Sequence, residues 1–144
     1  MKKVFSIILL FIALFALSSC KDENDVTVLI KNGDKVVEII VDDKDITEGM
    51  TMEQLLLSDE YKDKFKADMV DSAYGKYING IYEITPDSSK GEYISVYTTL
   101  FDYTFGEAVA VNEIEFKAAS VGVSELMIVA GAAYMFSLEA WVAE

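Results

Sequence analysis

The sequence contains no histidine, no arginine, one cysteine and one proline among its 144 residues. The absence of histidine excludes a Ser-His-Asp triad, a Cys-His pair and any imidazole metal site. The absence of arginine excludes a bidentate guanidinium clamp for phosphate or carboxylate groups. The glycines are scattered singly, so the chain also lacks a glycine-rich phosphate loop. No pair of carboxylates stands out as a catalytic pair, and we therefore expect a protein without enzymatic activity.

Basic residues are also scarce relative to acidic ones. The chain has 12 lysines against 25 aspartates and glutamates, which gives a formal net charge of −13. A nucleic-acid backbone is bound mainly through basic side chains that neutralise its phosphates. We therefore predict that the protein has no nucleic-acid partner.

The first twenty residues have the pattern of a bacterial lipoprotein signal. Lys2 and Lys3 precede an apolar run over residues 4–17, which is shorter than the roughly 20 residues that a helix needs to cross a bilayer. A charged start, a short apolar run and small residues at its end are typical of a secretory signal. The ending Leu17-Ser18-Ser19-Cys20 resembles a lipobox, in which the cysteine is acylated and becomes the first mature residue. The alternatives are an ordinary signal peptide with a chance cysteine, or an uncleaved membrane anchor.

The lipobox interpretation divides the chain into three parts. We predict a signal peptide over residues 1–19, a lipidated Cys20 with an acidic tether over residues 20–25, and one domain over residues 26–144. A diacylglyceryl group with fatty acids such as palmitate supplies two chains, which is enough for stable anchoring. The predicted location is the extracytoplasmic side of the cell membrane, or the outer membrane or cell surface in a Gram-negative cell. Acylation of the only thiol would leave none for a disulfide.

The rest of the sequence predicts mostly β-strands. Two β-branched runs, at residues 26–30 and 35–41, flank Asn32-Gly33, and Asn-Gly is the strongest short hairpin signal because a type I′ turn needs positive φ at both central residues. Thr51 and Gln54 fit a capping box, which predicts one helix over residues that include Leu55-Leu56-Leu57. Further strands are predicted at residues 75–81, 91–100, 113–118, 126–129 and 133–138. A hairpin, one helix and several strands predict an α+β domain with the helix packed on a mixed sheet.

The order of these elements resembles the β-grasp domain found at the C-terminus of transcobalamin and intrinsic factor. The same domain recurs in many bacterial envelope lipoproteins, mostly without an assigned function. The matching residues are 26–28, 49–51 with 55–56, 77–81, 91–97, 122–126 and 134–136. The resemblance implies a β-grasp-like mixed sheet with one packed helix, and it makes a corrinoid one candidate ligand. The chain differs from the family at Tyr93-Ile94, where the family usually has Tyr-Trp, and at Ala130-Gly131-Ala132, which replaces a Gly-Asp turn.

Aromatic residues are concentrated between positions 74 and 105. Tyrosine presents a rigid face and a polar tip at low entropic cost, which suits a binding surface. Tyr93 and Tyr97 should point to one face of a strand, which is either a binding surface or part of the core. Tyr74 and Tyr103 adjoin turn-like residues and should be exposed. The candidate ligand-binding residues are Tyr74, Tyr77, Asn79, Tyr93, Tyr97 and Tyr103, although Asn79 also suits a turn.

A second candidate site is the acidic segment that follows the predicted hairpin. Asp42, Asp43, Asp45 and Glu48 lie close together in the sequence. Several carboxylates in a flexible loop are what Ca²⁺ prefers, since it takes six to eight oxygen ligands. The spacing is not that of an EF-hand, because Glu48 occupies the required glycine position. The alternative is an ordinary solvated loop.

The sequence therefore favours a lipid-anchored extracytoplasmic binding domain that holds a small molecule or a peptide against its tyrosine-rich region. The alternative is a structural or adhesive module that docks another envelope protein, with or without stabilisation by Ca²⁺. A ligand site should be a concave pocket that several of the tyrosines line. A docking module should show them on an exposed patch, or should present an unpaired strand.

Overall fold

The computed structural model describes residues 21–141 of the chain. The predicted signal peptide over residues 1–19 and the predicted lipidation site Cys20 lie outside the described residues. Within residues 21–141, no helix is long and apolar enough to span a membrane.

The described chain forms eight strands and two short helices. The strands are β1 (Val26–Asn32), β2 (Lys35–Val41), β3 (Asp68–Ser72), β4 (Gly75–Gly80), β5 (Glu92–Thr98), β6 (Thr104–Val111), β7 (Ile114–Ala119) and β8 (Ala133–Ala140). The helices are α1 (Met52–Leu57) and α2 (Lys62–Phe65).

Six of the strands form one mixed sheet in the order β2-β1-β8-β5-β7-β6. The β1–β8 pair is parallel and the other pairs in this sheet are antiparallel. Strands β3 and β4 form a separate antiparallel pair. The predicted α+β class and the predicted mixed sheet are confirmed.

The predicted hairpin at the start of the domain is confirmed, with its turn one residue later. Asn32 pairs with Lys35, so the two central turn residues are Gly33 and Asp34. Only Gly33 has a positive φ, at +60°. The turn therefore needs glycine at its first central position and does not have the predicted type I′ conformation.

The predicted helix start is confirmed, but the helical region has two segments. Thr51 accepts a hydrogen bond from the Gln54 N–H, and the Gln54 side chain accepts one from the Thr51 N–H, which completes the capping box. The first helix ends at Leu57, and the extended backbone of Ser58 interrupts the helical region before α2 begins.

One predicted strand is absent from the described residues, and two observed strands were not predicted. Strands β3 and β6 were not predicted, and residues 126–129 do not form a strand with neighbours on a sheet. In that segment the Ile128 N–H donates to the Met50 carbonyl, and the Val129 N–H donates to the Tyr134 hydroxyl. This apolar run is therefore a partly buried loop, with Leu126 and Ile128 in the core, whose backbone groups bond to other parts of the chain and to a side chain.

Both faces of the main sheet carry apolar side chains. Tyr134 and Phe136 of β8 lie on the face that the helices cover, together with the largest part of the core. Met135, the residue between them, lies on the opposite face with Leu29 and Phe116. Strand β8 is therefore central and buried on both faces, with β1 and β5 beside it.

Candidate functional site

The open end of the first hairpin brings three aspartates together. Val26 pairs with Val41, so the residue before β1, Asp25, lies opposite the residue after β2, Asp42. One carboxylate oxygen from each of Asp25, Asp42 and Asp43 lies within 4.8 Å of the others. We call these three residues the aspartate cluster.

Backbone N–H groups hold two of the three carboxylates of the aspartate cluster in place. Asp25 accepts from the Asp43 N–H over 3.1 Å and from the Asp22 N–H over 2.9 Å. Asp42 accepts from the Lys44 N–H over 3.0 Å, at the start of the 3₁₀ turn Asp43–Asp45. Residues of the predicted tether thus lie against the domain just before β1.

The pKa values of two neighbouring carboxyl groups in the cluster shift in opposite directions. The Lys44 backbone N–H lowers the pKa of Asp42, since it bonds to the ionised form. Burial raises the pKa of Asp43, and the nearby Asp42, Asp22 and Asp25 raise it further. A cation would relieve this repulsion, and the three carboxylates therefore allow a metal ion.

Of the four predicted metal ligands, only Asp42 and Asp43 belong to the cluster. Asp45 instead accepts a hydrogen bond from the Tyr61 hydroxyl over 2.7 Å. Within residues 21–141, neither Asp45 nor Glu48 joins a group of three converging carboxylates. Sequence reasoning missed Asp25, although the hairpin register was the signal that could have revealed it.

A groove lies beside the exposed ring of Tyr74. This tyrosine occupies the turn between β3 and β4 and is 93% exposed. The groove has a volume of about 550 Å³ and separates this turn from the loop that contains Ser120, Ser124 and Glu125. Its lining combines an aromatic ring and Val121 with two hydroxyls and a carboxylate. We call it the Tyr74 groove.

The two walls of the Tyr74 groove are held together by Ser124. Its hydroxyl accepts a hydrogen bond from the Lys76 N–H over 2.9 Å. A Cβ atom on Gly75 would lie 3.0 Å from the same hydroxyl oxygen, and Gly75 has a φ of +101°. The close approach of the walls therefore requires glycine at this position.

Tyr93 and Tyr97 share one face of β5, as predicted. Both hydroxyls donate to the carboxylate of Glu139 on β8. Burial and this carboxylate raise the pKa of Tyr97 to about 12. The Trp141 ring lies 5.7 Å from that of Tyr93 and is 78% exposed, so it extends the aromatic surface. The sequence analysis did not single out Trp141.

The six predicted ligand-binding residues do not form one surface. Ile94 and Val96 of β5 pack in the same core cluster as Ile78 of β4. Tyr93 and Tyr97 alternate with them along β5 and therefore lie on the opposite face of the main sheet, away from β4.

The remaining candidates are divided between two places. Tyr77 and Asn79 are exposed on β4, where the Asn79 amide donates to Asp68 of β3 over 3.0 Å. Tyr103 is 42% exposed, as expected for a residue beside a turn. Its carbonyl accepts from the Ser120 N–H over 2.8 Å, so its backbone lies beside one wall of the Tyr74 groove.

Comparison with known proteins gives a fold relationship. No family model matches the chain, and no curated protein matches it. Among solved structures, the chain is similar to a protein from Ruminococcus gnavus ATCC 29149 that is described as a "putative metal binding protein". The TM-score is 0.57 and the sequence identity is 19%, with 83% of this chain and 99% of that chain covered. A similarity at this identity shows a shared fold.

Proposed function

We propose that the protein is a non-enzymatic binding domain anchored by lipid on Cys20 to the extracytoplasmic side of the membrane. The lipobox-like sequence supports the anchor, and the transcobalamin-like order of elements supports the β-grasp fold and a binding role. The Tyr74 groove is the binding site that we propose. The observation that carries this proposal is Tyr74, which is 93% exposed, beside a groove with hydroxyl and carboxylate groups in its wall. Tyr74 is the one tyrosine among the residues that line this groove.

The chemistry of the groove favours a small polar molecule or a short peptide. Its volume of about 550 Å³ falls within the roughly 300–1,000 Å³ of small-molecule sites. The Tyr74 ring offers an apolar face, while Ser120, Ser124 and Glu125 offer hydrogen bonds and one negative charge. A ligand with an apolar part and an amine or amide group matches this lining. A corrinoid would rest against the groove, since it is larger than a drug-sized ligand.

Hydrogen exchange tests this location for the binding site. The full chain, purified in mild detergent, is compared with and without a mixture of cyanocobalamin and random tetrapeptides that lack aspartate and glutamate. We expect slower exchange at residues 73–76 and 120–125, because a bound ligand would cover both walls of the groove. Unchanged exchange at both segments, or protection only elsewhere, would contradict the proposal.

The anchor is tested separately. Cells that express the wild type and the Cys20→Ala variant are labelled with a palmitate analogue. We expect label on the wild type alone. Label on both proteins, or on neither, would show that Cys20 is not the acylated residue.

A second candidate function is Ca²⁺ binding by the aspartate cluster, and the convergence of the three carboxylates favours it. Oxygen ligands without nitrogen or sulfur suit a hard cation such as Ca²⁺. Asp25 is five residues from Cys20, so a bound ion would stiffen the junction between the lipid anchor and the domain. This role suits a structural or adhesive envelope module. The fold neighbour described as a metal-binding candidate is consistent with it.

Thermal unfolding of the full chain in detergent tests this second function. We expect millimolar CaCl₂ to raise the midpoint and EDTA to reverse the increase. MgCl₂ at the same concentration serves as the control for a general effect of divalent salt. Equal midpoints in CaCl₂ and EDTA would rule out the Ca²⁺ site.

A further inference from the structure

Strand β2 is an edge of the main sheet with unpaired backbone groups. It pairs with β1 alone, and Asn32 and Lys35 close the two-residue hairpin. Because hydrogen-bonded positions alternate along an antiparallel pair, the N–H and C=O groups of Val36, Glu38 and Ile40 point away from β1. In the described part of the chain, no hydrogen bond outside the β1–β2 pair involves these groups.

A groove runs beside this edge. It has a volume of about 430 Å³ and lies between β2 and the end of α2, with Val37 and Ile39 on one side and Tyr82 beside them. Both β2 residues are only half-buried, although they belong to the core-facing side of the strand. The helices therefore leave part of the apolar face of β2 uncovered.

The two edges of the main sheet differ in regularity. At the other edge, β6 has a register shift between Phe105 and Val109 and a positive φ at Gly106, which interrupt the strand. Such bulges are a common way of preventing another strand from pairing. Strand β2 has no register shift. Of these two edges, β2 is therefore the one that offers an added strand an uninterrupted row of backbone hydrogen-bonding groups.

Two lysines give the groove beside β2 a charge preference. Lys64 and Lys66 line it, and within residues 21–141 neither forms an ion pair. The Lys64 ammonium lies 4.8 Å from the centre of the Tyr61 ring. Asp63 lines the same side of the groove as the lysines. Glu38 lines it from β2, where its side chain alternates with those of Val37 and Ile39 and therefore lies on the opposite face of the strand. In a chain with a net charge of −13, two adjacent unpaired lysines indicate an acidic partner.

We propose that β2 binds an extended acidic peptide segment of another protein as an added strand. The backbone of the segment bonds to Val36, Glu38 and Ile40. Alternate side chains of the segment point into the groove, where an apolar side chain covers Val37 and Ile39. An acidic side chain on the same face pairs with Lys64 and Lys66. This mode uses backbone bonds for affinity and alternate side chains for specificity.

The test uses two synthetic peptides and calorimetric titration of the full chain in mild detergent. The acidic probe is acetyl-Thr-Val-Thr-Asp-Thr-Val-Thr-amide, and the matched basic probe has lysine in place of aspartate. We expect the wild type to bind the acidic probe at least about tenfold more tightly than the basic one. The double variant Lys64→Glu, Lys66→Glu should have the reverse preference. This reversal distinguishes binding at the groove from loss of folding.

Two further variants locate the site. Glu38→Pro removes an outward N–H without removing a bond to β1, so it should weaken the binding of both probes. Lys117→Glu should leave the preference for the acidic probe unchanged, because Lys117 lies on β7 and does not line the groove beside β2. Equal affinity for the two probes, or a preference that the double variant keeps, would overturn the proposal. A dimer of the full chain that the acidic probe does not dissociate would also overturn it, since a second copy would then occupy β2.

Discussion

The Tyr61 hydroxyl donates a hydrogen bond to the Asp45 carboxylate over 2.7 Å, and it accepts one from the Asp42 N–H over 3.0 Å. Tyr61 is 4% exposed and lies between the two helices, whereas both aspartates lie in the loop after β2. The buried ring thus fastens this loop to the helical layer. It also explains why Asp45 does not contribute to the aspartate cluster.

The Tyr61→Phe variant should be less stable than the wild type. It leaves the Asp42 N–H and the Asp45 carboxylate without their partner, and we expect a loss of about 1–3 kcal/mol in the free energy of unfolding. Urea unfolding of the full chain in detergent measures it. Tyr103→Phe is the control, because Tyr103 is partly exposed, and it should change stability by less than about 0.5 kcal/mol. Equal losses for both variants would contradict the role of the Tyr61 hydroxyl.

The Glu139→Gln variant should lower the pKa of Tyr97 from its value of about 12, because the neighbouring negative charge disappears. A tyrosine with a raised folded pKa contributes stability that is fully present below its unfolded pKa of about 10 and is lost as the pH rises through the folded value. The variant should therefore lose less stability as the pH rises above about 10, and the loss should be complete at a lower pH than in the wild type. Absorbance titration of tyrosinate measures the shift. A titration curve identical to that of a Glu115→Gln control would contradict the assignment.

The Asp43→Asn variant tests the electrostatics of the aspartate cluster. Without a divalent cation it should raise the unfolding midpoint, because it removes a charge that burial and neighbouring aspartates disfavour. The gain should shrink as the pH falls through the raised pKa of Asp43, since the wild-type carboxyl then takes up a proton. In CaCl₂ the order should reverse. A variant that responds to CaCl₂ as strongly as the wild type would show that Asp43 is not a ligand.

The Thr51→Ala variant should destabilise the protein by about 1 kcal/mol, because it removes the side-chain acceptor of the capping box. Thr51→Ser retains a hydroxyl and should lose much less. Thermal unfolding of the three proteins provides the comparison. Equal midpoints for the alanine variant and the wild type would show that the cap contributes little to the short helix.

Local sequence signals predicted the parts of the fold that local interactions determine. The capping box at Thr51 and the strand at residues 133–138 depend on neighbours within a few residues, and both were confirmed. Strand β3 has a mostly exposed, polar sequence, Asp68–Ser72, so no alternation of apolar residues reveals it. Strand β6 has apolar residues on both of its faces, and Gly106 within it has a positive φ. Its sequence therefore does not show the alternation of apolar and polar residues that predicts a strand.

Long-range contacts limited the prediction of the site. Asp25 joins Asp42 and Asp43 through the register of a hairpin in which Val26 pairs with Val41. With Asn32-Gly33 as the central turn residues, this register would differ by two residues. Tyr74 and Ser124 both line the Tyr74 groove, although they are far apart in the sequence. The concentration of tyrosines in one part of the sequence does not show on which face of the sheet each one lies. It therefore could not predict that the main sheet separates Tyr93 and Tyr97 from the groove.

The central claim is that the Tyr74 groove binds a small molecule or a peptide, and native mass spectrometry tests it most directly. The full chain is released from detergent after exposure to cyanocobalamin and a random tetrapeptide mixture that lacks aspartate and glutamate, so that the probes do not include the acidic peptides proposed to bind β2. Wild type, Tyr74→Ala and Tyr103→Ala are compared. We predict a one-to-one adduct with the wild type and with Tyr103→Ala, and its loss with Tyr74→Ala. A wild type without an adduct, or an adduct that persists in Tyr74→Ala, would contradict the account.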